Sequence, residues 1–114
     1  MTAHEKAQRE WFKAEIGRRL LALGASKGTG ENYTLETLAG TLAITPYDDW
    51  IACRFDAPAR AGQFLTAQPR GRLNPHSGKW NHVYTLAMFK SRQQAGAAVD
   101  DFFCELSRVL PAAA

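Results

Sequence analysis

Between Ala57 and Arg92 the sequence has no aspartate and no glutamate, yet it holds six basic side chains: Arg60, Arg70, Arg72, Lys79, Lys90 and Arg92. Cations without carboxylate neighbours are not neutralised locally. Either acids from other segments fold against them, or their counter-charge comes from outside the chain. The segments on either side, 32–56 and 93–114, are net acidic and 1–31 is mildly basic, so a net charge of only +3 hides a concentrated basic stretch. Cysteine is also scarce. Cys53 and Cys104 are the only two, which is too few for a disulfide framework and forms no metal-ligand spacing. Each lies among apolar neighbours, so both are expected to be buried thiols. No apolar run approaches the roughly 20 residues of a membrane span. Met1 to Glu10 has no apolar signal-peptide region. The expectation is a cytoplasmic protein with no membrane partner.

What is present reads as one α+β domain over 1–114. Apolar residues make up 46% of the 114 and charged residues 22%, enough to build a core and too balanced for disorder. Thr2 and Glu5 form a capping box, and Trp11, Phe12, Ile16, Leu20 and Leu23 recur at helical spacing, predicting a helix over Ala3–Leu23. Arg9 falls with the polar residues of its wet side. Tyr33–Leu38 and Thr41–Ile44 read as extended, Thr45–Asp49 as a turn, and Trp50–Asp56 as a strand alternating Ile51, Cys53 and Phe55 against Trp50, Ala52 and Arg54. Asn81–Phe89 reads as a central strand covered on both sides. Ser91 and Gln94 cap a last helix that Pro111 stops. The order α-β-β-β-loop-β-α predicts an antiparallel sheet of about four strands with both helices on one face.

Three chemical motifs fail on inspection. Gly24–Gly30 looks like the glycine-rich loop of short-chain dehydrogenases, but a helix precedes it and a strand follows, the reverse of what a pyrophosphate needs. Gly71–Lys79 ends in Ser-Gly-Lys without the loop length or the following hydroxyl of a phosphate-binding loop. Ser77 with His76 or His82 lacks a carboxylate to orient the base. No catalytic set, cofactor or metal site is indicated.

Arg70–His82 is the segment that stands out. Asn74-Pro75 and Ser77-Gly78 are turn formers. They would hold Arg70, Arg72, Lys79 and Trp80 on a projecting loop, with His76, Asn81 and His82 in support. Cations interleaved with a stacking aromatic suit phosphate contact and base stacking. Lys90 and Arg92 flank the N-cap Ser91, where positive charge opposes the helix dipole unless an anion is bound.

The run Asn74-Pro-His-Ser-Gly-Lys-Trp-Asn81, following the strand Trp50-Ile-Ala-Cys-Arg-Phe-Asp56, resembles a segment of small proteins from bacterial phages, plasmids and integrated elements, over residues 50–85. That resemblance implies a setting rather than a mechanism. Lys90-Ser-Arg-Gln-Gln-Ala95 and the helix after it resemble the end of a double-stranded RNA-binding domain, where cations at the last helix touch phosphates. Together these point to a non-enzymatic nucleic-acid-associated accessory protein of a bacterial mobile element. It would bind phosphates through Arg70, Arg72, Lys79, Lys90 and Arg92 and stack on Trp80. The alternative is a protein-interaction module, such as an inhibitor of a host defence complex, using the same loop. Oligomeric state stays open, a dimer included.

Overall fold

Side-chain caps begin both long helices. In the computed structural model, which describes residues 2–65 and 71–111, α1 spans Ala3–Ala22 and Thr2 Oγ1 accepts the Glu5 N–H at 3.1 Å. Gln8, Phe12, Ile16 and Leu20, four residues apart, form its buried stripe. Helix α3 spans Arg92–Leu106, with Ser91 Oγ accepting the Gln94 N–H at 3.1 Å. It buries Ala95, Ala98, Val99, Phe102 and Leu106. Cys104 falls off that stripe and is exposed, contrary to expectation. Arg9 is the reverse correction: it is buried, with its guanidinium 5.5 Å from the Phe89 ring centroid. Its long stem lets a charged residue cover apolar surface.

The strands are β1 Ser26–Lys27, β2 Tyr33–Thr37, β3 Gly40–Pro46, β4 Trp50–Phe55, β5 Gly71–Leu73 and β6 Trp80–Val83, with a one-turn helix α2 at Pro58–Ala61. They form a six-stranded antiparallel sheet in the order β1-β2-β3-β4-β6-β5. The expected α+β architecture holds. The sheet is wider than the four strands anticipated, because β1 and β5 are two and three residues long, too short to show a period.

The expected long strand from Asn81 to Phe89 does not form. The chain leaves the sheet after Val83, and Leu86–Phe89 makes a 3-10 turn. Two contacts pull it away. The Tyr84 N–H donates to Asp49 O at 2.9 Å, and the Tyr84 and Phe89 rings each meet Phe12 edge-on at 5.4 Å. Tyr84 and Phe89 therefore pack against α1, while Val83, Leu86 and Ala87 stay exposed rather than lying under two covering layers.

The sheet's inner face carries Tyr33, Leu35, Leu42, Ile44, Ile51, Cys53, Phe55, Trp80 and His82, all buried with the helix stripes. Their alternates on the outer face, from Thr34 to Val83, stay exposed or half-buried. No helix among the described residues is long and apolar enough to cross a membrane.

Candidate functional site

The outer face can be laid out from the strand register. One row runs Thr34, Ala43, Arg54, Lys79 across β2, β3, β4 and the start of the β6 hairpin. The next pairs Thr45 with Ala52 and Asn81 with Arg72. Ala52 stands opposite Asn81, between the pairs Ile51–His82 and Arg54–Lys79. A third row sets Trp50 beside Val83, and Tyr47 stacks on Trp50 with ring centroids 4.7 Å apart and planes 12° from parallel. Ala43 and Ala52 are low, so their neighbours enclose a groove of about 250 Å3. Trp50 walls one end, Thr45 and Asn81 flank it, and Arg54 and Lys79 rim the other end.

Arg54 and Lys79 face one another directly across a β-bridge. Like charges in that position repel and destabilise the pairing. Neither meets a carboxylate among the described residues, and neither does Arg72. The helix layer differs. Arg18 and Arg19 both pair with Glu15, Arg19 also reaches Asp100 at 2.9 Å, and Lys13 lies 3.5 Å from Asp48. The Arg18 guanidinium hydrogen-bonded to Glu15 helps hold that carboxyl down to about 2. The acids nearest the groove's row are engaged with backbone or hydroxyl: Asp56 accepts the Thr41 N–H and Glu36 the Thr41 hydroxyl.

The Asn74–Lys79 hairpin loop places Lys79. Asn74 Oδ1 accepts the N–H groups of His76 and Ser77 at 2.9 and 3.1 Å, and Asn74 N–H donates to Lys79 O at 2.8 Å. Gly78 closes the loop at φ +80°, where an added Cβ would strike the Phe55 carbonyl. Its own carbonyl accepts the Phe55 N–H at 2.9 Å. The Asn-Pro-His-Ser-Gly run is thus a device that ties the β5–β6 hairpin onto β4.

The expected site residues separate into groups. Arg72, Lys79 and Asn81 come together on the outer face. Trp80 does not: it is fully buried on the inner face, 5.6 Å from Phe55 and 6.0 Å from Phe102, so its indole cannot stack on a ligand. Strand alternation, which puts Lys79 out, puts Trp80 in. His82 is also core, with Nδ1 3.1 Å from Glu105 Oε2 and the Trp80 and Phe102 rings edge-on to it, so its supporting role at a surface is corrected. His76 is exposed at the hairpin tip. Lys90 and Arg92 lie in the helix layer: His4 Nε2 donates to Lys90 O at 2.8 Å, and Arg92 donates to Gln8 Oε1 at 2.7 Å with its guanidinium 4.3 Å from the Trp11 ring centroid. Arg60 is exposed on α2. Arg70 lies outside the described residues.

Arg54, Trp50 and Tyr47 are the side chains that attention to the basic segment overlooked. The signal was available, since the alternation that buries Ile51, Cys53 and Phe55 sends Trp50, Ala52 and Arg54 to the other face. Cys53 contributes only backbone; burial pushes its thiol pKa up, which keeps it in the unreactive protonated form. No cluster of three His, Cys, Asp or Glu side chains that could hold a metal occurs among the described residues. Comparison with family models, curated proteins and solved structures finds no match to this chain.

Proposed function

We propose that the protein binds single-stranded nucleic acid across the outer face of its sheet, as a non-enzymatic accessory protein. Arg54 and Lys79, with Arg72 beside them, contact phosphates. Tyr47 and Trp50 at the far end give bases a surface to stack on. The observation that carries this reading is the Arg54–Lys79 bridge, a pair of cations held in register without a carboxylate among the described residues. Such a pair opposes folding of the free protein and is relieved when an anion bridges it. An aromatic ledge and a low alanine floor suit an unpaired strand better than a duplex, whose bases are already stacked on one another.

The test is an anisotropy titration of a labelled single strand at two salt concentrations, comparing the native chain with an Arg54→Glu/Lys79→Glu double variant. The native affinity should fall steeply with salt. The variant should bind at least about tenfold more weakly, with a salt slope reduced by about 1.4. Unchanged binding by a correctly folded variant overturns the proposal.

A further inference from the structure

The two polar groups flanking the groove have their hydrogen-bonding sense settled by bonds they already make. The Cys53 N–H donates to Asn81 Oδ1 at 3.2 Å. An N–H is met only by the amide oxygen, so the remaining capacity of Asn81 is largely that of its NH2, a donor. That NH2 has no partner among the described residues. On the opposite side, Asn32 Nδ2 donates to Thr29 O at 2.8 Å, which leaves Asn32 Oδ1 to accept the Thr45 hydroxyl proton at 2.6 Å. With its proton committed, Thr45 Oγ1 offers lone pairs alone. The groove therefore presents an acceptor from β3 and a donor from β6, with Ala52 between them. Adjacent strands are spaced about 4.8 Å apart, so the backbones of Thr45 and Asn81 stand about 10 Å apart, room for one flat ring.

A ring that satisfies both groups needs an acceptor on one edge and an N–H donor on another. Cytosine, adenine and guanine have this combination, because each carries an exocyclic amine as well as acceptor atoms. Thymine and uracil have one free donor, the ring N3–H, and it is flanked on both sides by their exocyclic carbonyl oxygens. One of these would be set against the lone pairs of Thr45, leaving a desolvated acceptor unpaired. Building on the single-strand reading, we infer that the groove selects a base bearing an exocyclic amine, cytosine, adenine or guanine, and discriminates against thymine and uracil. Arg54 and Lys79 hold the attached phosphate. Neither polar group is assigned to the sugar, so DNA and RNA strands of the same base are bound alike.

The test is anisotropy with labelled homopolymers of dC, dA, dT and rC, each about ten nucleotides long. The native chain should bind dC and dA about five- to tenfold more tightly than dT, the worth of roughly one hydrogen bond, and rC should match dC. Thr45→Val keeps the side-chain shape and removes the oxygen, so the dC/dT ratio should fall toward one while the salt slope persists. That change also leaves Asn32 Oδ1 without its donor. Ala43→Leu is therefore the second variant: it fills the groove without touching a charge or a hydrogen bond, and should abolish the base preference in the same way. Equal affinity of the native chain for dC, dA and dT with the salt slope intact overturns base selection and leaves the phosphate reading standing. A preference that follows the sugar rather than the base also overturns it. Absence of salt-dependent binding to every strand overturns both.

Discussion

Gly78 shows how one residue positions the candidate site. Its φ of +80° is open to glycine at little cost, and an added Cβ would meet the Phe55 carbonyl, a backbone atom with no freedom to move aside. The Gly78 carbonyl also supplies the Phe55 N–H with its partner. Gly78→Ala is therefore expected to lower the unfolding free energy by at least about 2 kcal/mol, seen as a lower urea midpoint. Because Lys79 follows directly, the same variant should weaken single-strand binding as the hairpin shifts. Arg92 makes the opposite case. Its guanidinium is spent on the Trp11 ring and Gln8 Oε1, which ties the start of α3 to α1. Arg92→Ala should cost about 1 kcal/mol of stability and leave strand affinity at moderate salt unchanged. A large affinity loss with unaltered stability would return Arg92 to the binding surface.

At the scale of the element, the caps and the long periods are legible in the sequence. Thr2/Glu5 and Ser91/Gln94 mark the starts of α1 and α3, and the alternation of β4 matches its burial residue by residue. Short elements were not readable. A strand of two or three residues, such as β1 or β5, gains its pairing from neighbours and carries no pattern of its own. The stretch after Val83 misled for a related reason. Its apolar residues fit a buried strand by type, but a bond from Tyr84 N–H to Asp49 O and the packing of Phe12 redirect it. The candidate surface was half legible. Clustering of cations in residues 57–92 brought Arg72 and Lys79 into view. It also drew in Trp80 and His82, which the period of two sends to the core, and Arg92, which the packing of two helices claims. Arg54 was missed because it belongs to a segment that is acidic overall, and only the register sets it opposite Lys79.

At the scale of the whole molecule, the two faces hold their cations differently, with Arg9 and Arg92 of the helix layer resting on aromatic rings. Arg18, Arg19 and Lys13 in the helix layer are matched by Glu15, Asp100 and Asp48. The sheet's outer face carries Arg54, Lys79 and Arg72 without such partners among the described residues, beside an alanine-floored groove and a stacked Tyr47–Trp50 pair. The basic stretch does not gather onto one side. It divides between an open face and a helix layer where Arg92 is already engaged, and the open face is where an anionic strand has most to gain. Mapping amide chemical-shift changes as a cytosine-rich single strand is added tests this most directly. The account predicts saturable shifts at Ala43, Thr45, Trp50, Ala52, Arg54, Lys79 and Asn81, fading as salt is raised, with α1 and α3 unaffected. Shifts centred on His4, Lys90 and Arg92 with the sheet face silent would contradict it.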